Sequence, residues 1–178
     1  SRMVVRSAAA VRGTGADVLY VVAKTDPSQR GRGMSIIIVD ADTEGVERHK
    51  IPMVGWSAGD TGALHFRDVR VPVSNLMGKE GDAMRIMMGT FMEDRIQISA
   101  RSLGAAQLAL ELTLDYVKQR KAFGQRVIDY QNTQFVLADC RMELDAAWLM
   151  MMRAARLLDT DDKAAAETSM AKLFASET

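Results

Sequence analysis

Cysteine, histidine and net charge are what this sequence has least of, and each shortage closes off a class of function. Cys140 is the sole cysteine, so no internal disulfide can form and a reducing compartment fits. The two histidines, His49 and His65, stand far apart along the chain and show no metal-ligand spacing, so no metal site is expected. Lys plus Arg number 23 and Asp plus Glu number 23, giving a net charge of zero. A nucleic-acid or membrane-surface binder would carry a basic excess. No apolar run approaches the ~20 residues of a membrane span. No charged-then-apolar stretch opens the sequence as a secretion signal would.

What is present is a composition for folding. Hydrophobic residues make up 48% of the 178 and charged residues 26%, which predicts a packed core in one ordinary domain or two small ones. The character of the chain changes near residue 78. Before it, "DVLYVVAKT" (17–25) and "MSIIIVDAD" (34–42) read as strands separated by a Pro/Ser/Gly loop. "GALHFRDVRVP" (62–72) alternates as a half-buried strand that bends and stops at Pro72. Gly45, Gly55, Gly59 and Gly62 punctuate the connections.

After Gly81 the pattern turns helical. Met92, Ile96, Leu103, Ala106, Leu110 and Val117 form one stripe; Phe91, Arg95, Ile98, Ala105, Ala109, Leu112 and Tyr116 form a second beside it. A second helix runs from Val127 to about Leu158, with Phe135, Ala138, Met142, Leu149 and Met152 along the expected core side. "DTDD" (159–162) breaks it and offers N-caps for a third helix from 163, in which Met170, Leu173 and Phe174 keep the apolar period. The 13 methionines, clustered at Met84–Met92 and Met150–Met152, predict adaptable core packing. The fold class is therefore α+β in sequence order: an antiparallel barrel- or sandwich-like half (1–78), then long antiparallel helices (79–178) of an incomplete bundle. Both ends are abrupt, and the chain reads as a piece of something larger.

Between the first two helices lies "KQRKAFGQRVIDYQ" (118–131), with Arg120, Lys121 and Arg126 around Phe123 and Gly124. A helix–helix turn has no need of three cations around an aromatic. Arg suits phosphate, an aromatic stacks on planar rings, and Gly admits close backbone approach. Tyr130 and Gln131 open the next helix, where free N–H groups welcome an anion. Residue types alone leave two readings open, a nucleotide-diphosphate site and a plain turn with solvated cations.

The order of residues adds a resemblance. "YVKQRKAFGQRVIDYQNTQFVLAD" (116–139) resembles the signature of the acyl-CoA dehydrogenase family. "AKTDPS" and "GMSIIIVDADTEGV" resemble its middle-domain strands, and "GDTGALHFRDVRVPVSNLMGKEGDA" the strand and linker leaving that domain. "EDRIQISARSLGAAQLALE" resembles the first long helix of its C-terminal domain and "AKLFASE" the third. The resemblance implies part of a middle β domain and the first helices of a four-helix bundle. It also implies an oxidoreductase of fatty acid metabolism, a flavoprotein that uses FAD to desaturate an acyl-CoA thioester. Arg120 would bind the FAD pyrophosphate, with Lys121, Ala122 and Phe123 around it and Tyr130 and Gln131 next along the cofactor, serving the FAD of a neighbouring subunit. The implied partners are an acyl-CoA, an electron-transfer flavoprotein or similar acceptor, and further copies in a homotetramer, a dimer of dimers. The implied location is bacterial cytoplasm or mitochondrial matrix. An acyl-CoA oxidase, another flavin enzyme of this fold and a non-catalytic assembly relative stay open.

The chemistry needs a carboxylate base for the α proton and a flavin as hydride acceptor. The usual family base is a glutamate beyond the third helix, so the isolated piece is expected to be inactive. Relatives with a base on the first long helix place it just before the arginine matching Arg95, which here makes Asp94 the candidate. Met92, Glu93, Asp94 and Arg95 match the stretch that contacts acyl-CoA, with Met92 in place of a polar residue. Glu93 and Asp94 as plain surface carboxylates is the competing reading. Val4 to Ser7 stand where the family has a Trp-Ile-Thr-Asn-like flavin strand. Ser57 and Gly59 replace an Arg and a Ser, while Asp60 and Thr61 are expected to order a loop.

Overall fold

The computed structural model describes residues 2–5, 10–11, 14–55, 59–160 and 164–178, the first two segments by backbone alone. The chain divides into two compact units, residues 1–87 and 88–178. The first carries β1 (Arg2–Val5), β2 (Ala10–Val11), β3 (Val18–Lys24), β4 (Met34–Asp40), β5 (Val46–Lys50), β6 (Thr61–Phe66), β7 (Val69–Pro72) and β8 (Leu76–Met77). All pair antiparallel, in sheets ordered β1-β7, β2-β6-β5 and β3-β4-β8. Among the described residues they do not close into a barrel.

Alternation places the core. In β3 Leu19 and Val21 turn inward while Tyr20 and Val22 face out. Ile37, Val39, Leu64, Phe66, Val69 and Val71 join them in one cluster. Each such side chain contributes roughly 1.5–3 kcal/mol by leaving water. The expected bend after β6 falls at Arg67 and Asp68, with Asp68 at φ 51°. It docks on the turn before β5: the Arg67 N–H donates to the Gly45 carbonyl at 2.9 Å. Gly45 sits at φ +92°, and a Cβ there would meet the Arg67 carbonyl oxygen at 2.5 Å, so only glycine fits.

Strand β5 has no counterpart among the sequence expectations. Its residues, Val-Glu-Arg-His-Lys, carry one apolar side chain, too few for an alternation signal. Pairing of all five of its residues with Gly62–Phe66 of β6 makes it a strand regardless, and Arg48 ties it down through Asp42 at 3.0 Å and the Ala16 carbonyl at 3.2 Å.

Three helices follow, α1 (Ala83–Gln119), α2 (Gln131–Leu158) and α3 (Ala165–Glu177). A bond from Arg141 Nη1 to Gln107 Oε1 (3.5 Å) aligns α1 and α2 as antiparallel neighbours, as short connections require. The first expected α1 stripe is the packed one: Leu103, Leu110 and Val117 are buried and Met92, Ile96 and Ala106 half-buried. The second faces solvent, with Phe91, Ile98, Leu112 and Tyr116 exposed.

In α2 the expectation is corrected. Phe135, Met142 and Leu149 are exposed, Met152 alone of the expected large side chains packs half-buried against the core, and that core is built from Leu144, Ala147, Met151 and Ala154. In α3 Met170 and Leu173 are likewise exposed, while Thr168, Ala171 and Ala175 pack inward. The reason is close packing: small residues let helices approach, so alanines rather than the bulkiest side chains occupy the seam. Methionine use is mixed, with Met151 buried but Met84 and Met88 exposed. Helix α2 ends at Leu158 as expected, but α3 has Ala164 as N-cap, with no side-chain cap bond. Asp161 and Asp162, the expected caps, lie outside the described residues.

The two α2 faces make opposite predictions. Leu144→Ala, at 4% exposure, should cost about 2–5 kcal/mol. Leu149→Ala, at 69% exposure, should stay within about 0.5 kcal/mol. Urea denaturation of both variants checks this, and equal costs would return Leu149 to the core.

Candidate functional site

The corner between α1 and α2 is a miniature hairpin rather than a plain helix–helix turn. Strand β9 (Lys121–Ala122) pairs with β10 (Gln125–Arg126), joined by the two residues Phe123 and Gly124. Their φ angles are 51° and 86°, positive at both central positions as a type I′ turn demands. Gly124 takes this at no cost, whereas a phenylalanine with positive φ is an outlier. The strain is held by the surrounding bonds. The Arg120 N–H donates to the Tyr116 carbonyl (2.8 Å), and the Val127 N–H donates to the Arg120 carbonyl (2.8 Å). The Tyr130 hydroxyl donates to the Ala122 carbonyl at 2.7 Å. The outcome is that Phe123 stands 99% exposed at the tip of a hydrogen-bonded turn.

The structure separates the three cations by role. Arg126 is engaged internally, its Nε and Nη2 donating to the Asp129 carboxylate at 3.0 and 2.8 Å. The Arg126 guanidinium bonded to Asp129 holds that carboxyl below its ordinary value, and Asp129 in turn raises Arg126. Among the described residues neither the Arg120 nor the Lys121 side chain has a hydrogen bond or ion pair. Both are exposed, beside the Phe123 ring's turn. Tyr130 is the N-cap of α2 and Gln131 its first residue, four positions later than the expected start at Val127, because Val127–Asp129 form a separate 3-10 turn. Gln134 Nε2 donates to the Ile128 carbonyl (3.1 Å), completing the stitching. Asp129 was missed by sequence reasoning. Its signal was available, an aspartate three positions after Arg126.

This arrangement can receive an anion at two unengaged cations and a planar group on an exposed aromatic face. Nothing built on the turn blocks approach, since a Cβ on Gly124 would meet no atom within 4 Å. The residues present therefore fit a dinucleotide with a pyrophosphate.

The second expected site lies elsewhere on α1. Glu93 and Asp94 are exposed, and Met92 and Arg95 are half-buried. Arg95 belongs to the second α1 stripe, where a buried guanidinium would need a partner. It is half-exposed, and among the described residues its guanidinium has no ion pair; its carbonyl accepts from Ser99 Oγ at 2.7 Å. Asp94, in the first third of α1, and Arg120, just past its C-terminal end, are roughly 39 Å apart at the helical rise per residue, so they do not converge.

Asp60 does order a loop. Its carboxylate accepts from the Thr14 hydroxyl and the Gly15 N–H, and these bonds, the Thr14 one foremost, hold its pKa below the ordinary value. Thr61 opens β6. Ser57 and Ser7 lie outside the described residues, while Val4 and Val5 belong to β1 by their backbone.

A family profile described as "Acyl-CoA dehydrogenase, C-terminal domain" matches residues 81–178. The isobutyryl-CoA dehydrogenase of Dictyostelium discoideum mitochondria is 41% identical over 172 residues, covering 95% of this chain and 41% of that protein. The caffeyl-CoA reductase-Etf complex subunit CarC of Acetobacterium woodii is 38% identical over 165 residues, covering 90% and 43%. The structure of butyryl-CoA dehydrogenase from Megasphaera elsdenii superposes with a TM-score of 0.94 at 31% identity, covering 99% of this chain and 47% of that one. The chain thus spans about two fifths of the length of the curated relatives it matches.

The Arg126–Asp129 bond makes a prediction about pH. The folded pKa of Asp129 is depressed, so the pair's contribution is present above the ordinary carboxylate range and is lost as pH falls through the depressed value. In an NMR titration the Asp129 carboxyl should have its midpoint below about 3.9, the ordinary aspartate value. Arg126→Ala should return the midpoint toward that value and speed amide exchange at Val127. A normal Asp129 midpoint in the unsubstituted protein would show that the clamp is absent in solution.

Proposed function

The chain belongs to the acyl-CoA dehydrogenase family, and from that premise we propose that it is part of an FAD-dependent enzyme that introduces an α,β double bond into an acyl-CoA thioester. The observation that carries this reading is the corner. Arg120 and Lys121 are cations without internal partners, next to a fully exposed Phe123 that a strained turn holds in place. Arg120 would pair with the pyrophosphate of FAD, Lys121 would add charge beside it, and Phe123 would offer its face to the planar end. Ala122 and Tyr130, bonded to each other, would set the height of the turn, and Gln131 would face the cofactor from the start of α2.

Met92 to Arg95 would form the acyl-CoA end of the chain's contribution. Where no glutamate stands at the family's usual base position beyond the third helix, Asp94 would accept the α proton of the thioester on a carboxylate oxygen. Glu93, next on the helix, points about 100° away and would stay in solvent. Arg95 would hold charge on the substrate side. Bound FAD would supply the hydride acceptor for the β carbon, which no side chain provides.

The length of α1 bears on assembly. A corner and a carboxylate roughly 39 Å apart on one helix are served most simply by two different active sites. This supports a homo-oligomer in which the corner reaches a neighbouring subunit's FAD, with a dimer of dimers as the proposed form. Exposed apolar side chains support the same reading: Leu108, Leu112 and Tyr116 on one face of α1, Phe135, Met142 and Leu149 on one face of α2. An electron-transfer flavoprotein is the proposed acceptor, since CarC is named as a subunit of an Etf complex. Among the described residues no helix is long and apolar enough to cross a membrane, and bacterial cytoplasm or mitochondrial matrix is the proposed location.

In the whole protein Arg120→Ala should remove a charge-assisted contact of about 1.5–3 kcal/mol and weaken FAD binding by roughly 10- to 100-fold. Flavin absorbance retained through gel filtration measures it. Unchanged flavin content and assembly would make the corner a solvated turn. Asp94→Asn should leave FAD bound yet slow flavin bleaching by substrate in a single turnover by ~100-fold or more. Bleaching at the unsubstituted rate would place the base on another residue.

A further inference from the structure

The outward face of the β5–β6 ladder brings together the two histidines that the sequence keeps apart. Strand β5 is the edge of its sheet and pairs antiparallel with β6, with Glu47 opposite His65 and His49 opposite Ala63. Positions two apart on a strand share a face, so Glu47, His49, Ala63 and His65 all lie on one side. That side is outward, because Leu64 and Phe66 fill the other. The His49 and His65 rings are diagonal neighbours with centroids 5.6 Å apart, inclined at 65°. Both residues are exposed.

We propose that His49 and His65 form a two-imidazole site for a divalent transition-metal ion that clamps the edge strand β5 to β6. The spacing supports it. Metal–nitrogen bonds of about 2.0–2.1 Å at a tetrahedral angle place two imidazole centroids roughly 5.2 Å apart. The rings therefore need to close by a few tenths of an ångström and to turn about their outer torsions. Exposure leaves them free to do so, and Ala63 opposite His49 presents only a methyl group. Imidazole is a borderline ligand suited to copper, nickel and zinc. Among the described residues no group of three or more His, Cys, Asp and Glu is placed to hold a metal, so water completes the coordination. Glu47 lies across from His65, but Arg67 Nη2 holds its carboxylate at 3.2 Å, so it is a neighbouring charge and not a third ligand.

The test uses the whole protein without a purification tag, in a Cys140→Ser background that removes the exposed thiol. Titration calorimetry with Cu2+, Ni2+ and Zn2+ should show one saturable ion per chain, with Cu2+ bound more tightly than Ni2+ or Zn2+. Saturating metal should raise the melting temperature, because the ion binds folded β5–β6 and not the unfolded chain. His49→Gln and His65→Gln should each abolish the saturable site and the thermal shift while leaving the circular dichroism of the metal-free protein unchanged. Either variant binding one ion per chain as the background protein does, or no saturable binding in the background protein, overturns the proposal.

Discussion

The reversal of the chain between α1 and α2 is the constraint on which the helical unit depends. Two long helices must turn back on each other across residues 120 to 130 with their backbone polar groups satisfied. A two-residue hairpin achieves this by borrowing pairing geometry from sheets. It needs positive φ twice in succession, and one of those positions is Phe123. The Tyr130 hydroxyl and the Arg126–Asp129 pair hold the hairpin on the start of α2. The bonded turn fixes the backbone at Phe123 before any ligand arrives, so the position of the aromatic along the corner costs no further ordering on binding.

Sorting cations by engagement carries most of the functional reading. Arg126 and Arg120 are the same residue type, six positions apart and both exposed. One has its carboxylate within the corner; the other has none among the described residues. A desolvated or competing partner weakens an anion site, so an unengaged guanidinium beside a rigid aromatic is the feature a phosphate can use. The length of α1 keeps the corner and the Met92–Arg95 stretch apart, which is why the proposed function assigns them to different active sites of an oligomer.

The β unit depends on backbone more than on side chains. Gly45 and Asp68, both at positive φ, bring the turn before β5 against the bend between β6 and β7. The resulting register sets which side chains face outward on that ladder. The closeness of His49 and His65 is a product of that register and of no local pattern.

How much was legible follows from the range of each interaction. Strands β3, β4, β6 and β7, the existence of α1 and the end of α2 stand in the sequence, because side-chain periodicity is a local property; the start of α2, expected at Val127, and the choice between the two α1 stripes do not. The residue types of the corner stand there too. Strand β5 does not, since four of its five residues are polar and pairing with β6 alone makes it a strand. The packed faces of α2 and α3 do not, since both helices carry apolar residues on more than one side and close approach favours the alanine seam. Nor does the fate of each cation, because an ion pair is decided by where a carboxylate lands. Sequence by itself determined the principal strands and helices, their order and the residue types available at the corner. Tertiary structure alone decided which faces pack, which charges remain unengaged and which distant residues meet, because those outcomes rest on contacts between segments that local propensity cannot encode.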